Sequence, residues 1–202
     1  DKFLYPRRGS DIRLSAVWVA GRDKRRQAQG GPFLLRDTRS WLGARFTWDK
    51  YFDLPSCSWF SLGFNVDAVI TDHPRFDTES STLLSMPSYA PIPHARMIYM
   101  PDYHSRRFVA GGIMPTFDFT PNFFFRTGFY AMYRARRDFV PEALSEPVDH
   151  RMHYIAEASF VYHTAIGPVS LALTKYDLRN WKNMYLTFNF GYPIFAPRGT
   201  FY

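Results

Sequence analysis

Strict alternation of apolar and polar residues recurs in eight separate stretches, and that period of two admits only half-buried β-strands. In the first stretch Ile12, Leu14, Ala16 and Trp18 alternate with Arg13, Ser15, Val17 and Val19. The second sets Leu42, Ala44, Phe46 and Trp48 against Gly43, Arg45, Thr47 and Asp49. The third sets Phe60, Leu62, Phe64, Val66 and Ala68 against Ser61, Gly63, Asn65 and Asp67. A fourth, over 108–119, is weakened by Gly111, Gly112 and Pro115. The fifth carries Phe123, Phe125, Phe129 and Ala131 opposite Arg126 and Gly128, and the sixth Tyr154, Ala156, Ala158, Phe160 and Tyr162 opposite Glu157 and Ser159. Val169, Leu171 and Leu173 mark the seventh, and Leu186, Phe188, Phe190 and Tyr192 the eighth. One face is rich in Phe and Leu, while the other collects Arg, Asp, Asn, Glu and Gly.

Alternation alone fits a soluble sandwich as well as a membrane barrel. Connection lengths separate the two. Those after the second, fourth and sixth stretches (54–57, 120–122 and 164–168) are short and contain Pro or Gly. Those after the first, third and fifth (20–40, 71–107 and roughly 135–151) are long, and the last, 177–183, is shorter. In an up-and-down sheet alternate connections share an end, so one end has tight turns and the other long charged loops. Outer-membrane barrels sort their periplasmic turns and extracellular loops in this way. With an even strand count both termini are expected on the periplasmic side. The tract 86–93, with Pro87, Pro91 and Pro93, reads as an irregular loop.

Composition agrees without deciding. Of 202 residues, 19% are aromatic, more than a soluble core needs and suited to aromatic girdles at the two rims of a barrel. Mean hydropathy is −0.29, and no run approaches the roughly 18 to 20 apolar residues of a transmembrane helix. Cys57 is the one cysteine, so no internal disulfide forms. The chain opens at Asp1 without a signal peptide, which reads as a processed chain or a piece of a longer one. The fold expected is all-β: an antiparallel transmembrane β-barrel segment spanning 1–202 as one domain, integral to a bacterial outer membrane.

Several motifs resemble a known family. The final segment 184–195, with Leu186, Phe188, Phe190, Tyr192 and Phe195, resembles the C-terminal strand that marks barrel proteins for insertion by the barrel assembly machinery. The stretch 165–173 (AIGPVSLAL) looks like the last turn and penultimate strand of the BamA-type superfamily, the bacterial surface antigen domain. Tyr5, Pro6 and Gly9 resemble a turn found midway through such barrels. Within that superfamily 41–54, 84–95 and 123–131 are similar to the C-terminal barrel of patatin-like phospholipases of Bacteroidetes-type Gram-negative bacteria. The resemblance implies a parent with a patatin-type hydrolase and a periplasmic domain upstream, followed by an outer-membrane barrel of about sixteen strands. This chain would be its C-terminal half, anchoring or exporting a lipid acyl hydrolase. The hydrolase nucleophile motif Gly-x-Ser-x-Gly is absent here. So is the Val-Arg-Gly-Phe motif of assembly and translocation barrels, whose nearest equivalent is 106–111. A BamA-type assembly or translocation barrel is the alternative reading.

No catalytic constellation, metal site or cofactor is expected in these residues. A small barrel enzyme acting on lipid A would need a dyad such as His104 with Ser105, or His153 with Glu157. The latter two lie four residues apart on a strand, roughly 13 Å at about 3.3 Å per residue. The six histidines, at 73, 94, 104, 150, 153 and 163, lack tight ligand spacing beyond the 150/153 pair. Arg126 and Glu157 are expected on the lumen wall of neighbouring strands as a charge pair. Arg22, Lys24, Arg25 and Arg26, with Arg134, Arg136 and Arg137, are candidates for lipopolysaccharide phosphates at the outer rim, against a reading as solvated loop charge. Outer-membrane lipids, and a second copy or larger complex in the membrane, are the expected partners; nucleic acid is not, because the basic residues are dispersed.

Overall fold

The computed structural model describes residues 6–25, 35–54, 56–74, 79–92, 100–135, 152–178 and 184–191, with side chains at 22–25, 35–37 and 79–81 excepted. Eight antiparallel strands form one sheet in the order β1 to β8. They are β1 (Gly9–Arg25), β2 (Leu35–Asp53), β3 (Phe60–Thr71), β4 (Arg107–Thr120), β5 (Phe123–Arg134), β6 (Met152–Thr164), β7 (Gly167–Tyr176) and β8 (Met184–Phe190). Each strand pairs with its neighbour in sequence, so β1 and β8 are the two edges. The one helix among the described residues, α1 (Glu79–Ser85), lies in the β3–β4 connection, as does a 3-10 turn at Pro101–Tyr103.

All eight alternating stretches are strands. The weak fourth is continuous despite Pro115, which sits in a gap of the β4–β5 ladder between Ile113↔Phe129 and Thr116↔Arg126. Proline brings no N–H to that ladder. A register shift between Asp118 and Thr120 then bends the strand just before its turn.

Two connections differ from expectation. The loop expected over 20–40 is mostly ladder, because β1 and β2 stay in register from Gly9↔Tyr51 out to Arg25↔Leu35. β3 ends opposite Gly43, so the outer part of this hairpin projects past the sheet as a two-stranded ribbon. Its charges mimic a loop in the sequence and leave no apolar period to reveal the ladder. The β3–β4 connection, expected as an outer loop, instead folds back and packs against the sheet.

Arg7, just before β1, reaches Asp118 on β4 at 2.6 Å, bypassing β2 and β3, so the sheet is curled. Its two faces differ in an unusual sense. The concave face carries Thr47, Asp49, Ser61, Asn65, Asp67, Arg126, Glu157, Ser159, Ser170 and Thr174, all buried. The convex face carries Leu14, Phe46, Phe64, Phe129, Phe160, Leu186 and Phe188, all exposed; Leu14 is 78% and Phe188 70% accessible. A water-soluble sheet buries the opposite set.

Candidate functional site

The concave face holds the densest polar chemistry among the described residues. Its parity follows from the alternation: on β2 and β3, Arg45, Thr47, Asp49, Asn65 and Asp67 all point inward, with strand spacing setting them side by side. Arg45 and Asp67 form a fork. Arg45 Nε donates to Asp67 Oδ1 at 3.1 Å and Nη2 to Oδ2 at 2.6 Å. Beside them Asn65 Nδ2 donates to Asp49 Oδ1 at 2.8 Å. Charged groups this buried persist because each meets an opposite charge or a donor.

Onto this wall packs the segment between β3 and β4. Its two arms pair, with a bridge between Ser88 and His104 and the Tyr89 N–H donating to the Tyr103 carbonyl at 2.9 Å. Tyr89 Oη donates to Asn65 Oδ1 at 3.1 Å, and Arg45 Nη2 also reaches the Ser88 carbonyl at 3.4 Å. Tyr103 Oη donates to the Tyr154 carbonyl at 2.8 Å, pinning the segment to β6 as well. Tyr89, Ile92 and Tyr103 join Val69, Phe108, Met132, Ile155 and Tyr176 in an apolar cluster at the loop end of the concavity. The segment therefore fills that end.

Arg126 and Glu157 are both buried on this face, at 4% and 6% accessibility. Arg126 stands opposite Ser159 and Glu157 opposite Gly128, so the two are diagonal neighbours on adjacent strands. One partner of the guanidinium is Met114 Sδ, at 2.7 Å from Nη2. The histidine candidates separate. Ser105 Oγ donates to the Arg107 carbonyl at 3.2 Å, whereas His104 Nδ1 meets the Met86 carbonyl at 3.2 Å. His153 faces inward with its ring edge-on to Tyr103 at 5.5 Å. His73 stacks edge-on with Trp41 at 4.8 Å, and His163 lies 5.5 Å from the Phe124 ring. No group of three metal-ligating side chains occurs among the described residues. Cys57 lies half-buried in the β2–β3 turn.

Of the basic candidates, Arg22, Lys24 and Arg25 fall on the projecting ribbon, where only the backbone is described. Arg134 closes β5 and shares the parity of buried Met132. Arg26, Arg136 and Arg137 lie outside the described residues, as do His94, His150, Tyr192 and Phe195. Leu186, Phe188 and Phe190 project from the convex face of β8.

On the convex face, aromatic rings concentrate at the turn end. Trp59, Phe60, Phe117, Phe119, Phe123, Phe125 and Phe160 form a chain of ring contacts, with centroids 4.7 to 6.4 Å apart. Offset and tilted pairs at these spacings are mutually attractive. On β5 the outward side chains run from Phe123 to Tyr133. Ten residues at about 3.4 Å, tilted about 45°, give a band roughly 24 Å tall.

Burial pushes the His104 imidazole below its ordinary value, against carbonyls of Met86 and Leu83 that favour the charged form. The unfolded chain therefore takes up the proton first as pH falls through about 6.5, and the packed segment loses stability below that point. Limited proteolysis within 86–106 is expected to accelerate on acidification, and His104→Asn to flatten that dependence; an unchanged pH profile in the variant would exclude His104 as the source.

Comparison with protein-family models, with curated proteins and with solved structures finds no match.

Proposed function

We propose that this chain is part of an outer-membrane β-barrel, the C-terminal half of a larger barrel that anchors or exports an upstream hydrolase of the patatin-like phospholipase type. The inverted burial of the sheet carries the membrane half of that reading. A convex face of exposed Phe, Leu, Ile and Trp far exceeds the patches tolerated in water. It is the surface expected against hydrocarbon, bounded by an aromatic belt and about as tall as an apolar membrane band.

The edges support the half-barrel. Most inward side chains on the central strands are buried, while those on β1 (Ser15, Val17, Val19) and β8 (Tyr185, Thr187, Asn189) are only half-buried. Unpaired edge groups in hydrocarbon cost several kcal/mol each, so a lipid-facing sheet closes by adding strands. Strands flanking β1 and β8 would complete both the ladder and the inner wall. The hydrolase itself rests on the resemblance of 41–54, 84–95 and 123–131. A second reading, an assembly or translocation barrel of the BamA type, is favoured by one observation: the segment lodged against the concave face could occlude a conduit.

Depth-dependent charge insertion tests the membrane reading. Phe129→Arg, at mid-band, is expected to cost about 2–4 kcal/mol of folded barrel in a bilayer, and Phe119→Arg, beside the turn, about 0–1. The readout is the fraction of full-length protein with heat-modifiable gel mobility in membranes. In water both sites, 53% and 60% accessible, would tolerate Arg within about 0.5 kcal/mol. Equal tolerance, with the protein in the soluble fraction, would overturn the reading.

A further inference from the structure

We propose that a groove on the convex face holds one anionic phospholipid, with its phosphate on Lys50 and an acyl chain lying across β3, β4 and β5. The inference rests on the membrane reading above and adds a specific ligand to it.

The groove is written into one transverse row of the ladder. Trp48, Val66, Gly111, Ala131 and Tyr154 stand in register on consecutive strands, all with outward parity. The three central residues are small, and the two ends are aromatic. The next row toward the turns holds Lys50, Phe64, Ile113 and Phe129, also in register and outward. A trough with a Val-Gly-Ala floor, aromatic ends and an apolar lower wall results. It is an open groove of about 700 Å³, within the roughly 300–1,000 Å³ of small-molecule sites. The Trp48 wall is fixed, since its indole N–H donates to Ser10 Oγ at 3.1 Å.

Lys50 supplies the polar end. Its ammonium lies 5.2 Å from the centroid of the Phe52 ring, its one partner among the described residues. Depth follows from register. Lys50 is three residues from the end of β2, about 10 Å along the strand and about 7 Å in height at a 45° tilt. Phe129 in the same row lies six residues from the start of β5, about 14 Å up by the same measure. The row therefore climbs from the turn-side third of the apolar band, where the Lys50 ammonium leans over Phe52 toward the headgroup level, to the middle of the band. A cation at that lower end, beside an apolar row, is complementary to a lipid phosphate, and the trough leads from it toward the bilayer centre. A second copy docked here would bring a further Lys50 rather than an anion, so lipid is the better occupant.

Native mass spectrometry of the full-length protein, stripped of lipid in detergent and then given dioleoyl phosphatidylglycerol or dioleoyl phosphatidylcholine, decides the matter. One phosphatidylglycerol per chain is expected to be retained, and phosphatidylcholine about tenfold less. Lys50→Gln is expected to cut phosphatidylglycerol retention about tenfold, and Ala131→Trp, which fills the trough, to abolish retention of either lipid. Heat-modifiable mobility is followed alongside. Retention unchanged in Lys50→Gln, or no retained lipid in protein that does show heat-modifiable mobility, overturns the lipid site while leaving the membrane reading intact. A lipid-free dimer that Ala131→Trp dissociates also overturns it, in favour of a second copy. Protein that shows no heat-modifiable mobility and stays out of membranes overturns both.

Discussion

Replacing Arg45 with alanine is expected to be among the most destabilising single changes in this chain, lowering the stability of the folded sheet by about 3–5 kcal/mol. The fork to Asp67 is almost entirely removed from solvent, with the two side chains 11% and 6% accessible. Truncating one partner leaves the other as a charge held in a low-dielectric wall, and that uncompensated charge dominates the cost. The two partners are not equivalent. Arg45→Ala also removes the donor to the Ser88 carbonyl, so it weakens the seat of the in-folded segment, whereas Asp67→Ala leaves that contact in place. Arg45→Ala is therefore expected to open the segment to protease as well as to lower the temperature at which the folded gel band disappears. The apolar pair Arg45→Met with Asp67→Leu should recover most of the lost stability, because it removes both charges together. Protease sensitivity should nevertheless persist, since a thioether at position 45 has no hydrogen to donate to the Ser88 carbonyl. A double variant as unstable as either single one would show that the fork contributes through something other than its charges.

The contrast between the strands and this segment shows what the sequence could disclose. Strand faces were legible because a period of two is a property of neighbours in the chain. Phe123, Phe125 and Phe129 therefore announced the convex face, and Arg126 and Glu157 the concave one, without knowledge of any contact. The partners that other strands and loops supply were not legible. Arg126 meets Met114 from another strand, and Asn65 meets Tyr89 from a proline-punctuated stretch with no period. Pro87, Pro91 and Pro93 mark a surface loop by local chemistry, yet Tyr89, Ile92 and Tyr103 bury there because the curled sheet offers a half-filled cavity. The polarity of the wall hid this too. Inward Asp, Asn and Arg suggested a wet lumen, and nothing in the sequence said that the loop end of it would be closed by tyrosines. Conversely, the ribbon beyond Trp18 was hidden by its charges, although its register is as regular as any in the sheet.

The same concave wall sets the second large effect, at the glycines that flank Tyr130. The Tyr130 side chain lies flat over the wall, and a Cβ at Gly128 would fall 2.6 Å from its ring and hydroxyl. A Cβ at Gly112, across the strand pair, would fall 2.2 Å from the same ring and also 2.9 Å from the Phe129 carbonyl. Overpacking of this kind costs about 1–3 kcal/mol when the neighbours can shift, and more when backbone is involved. Gly128→Ala and Gly112→Ala should both destabilise, the latter more. The two differ in how they can be relieved. Every close contact at Gly128 is to the Tyr130 side chain, so Tyr130→Ala in the same chain should restore space there, leaving only the cavity cost of the lost ring. At Gly112 the Phe129 carbonyl remains in the way, and Tyr130→Ala should rescue little. Measuring the thermal unfolding of the single and double variants tests this as a pair of double-mutant cycles. Strong positive coupling is expected for 128 with 130 and weak coupling for 112 with 130. Equal coupling in the two cycles would mean that Tyr130 does not lie over Gly128 as described. The inner wall would then be packed by some other residue.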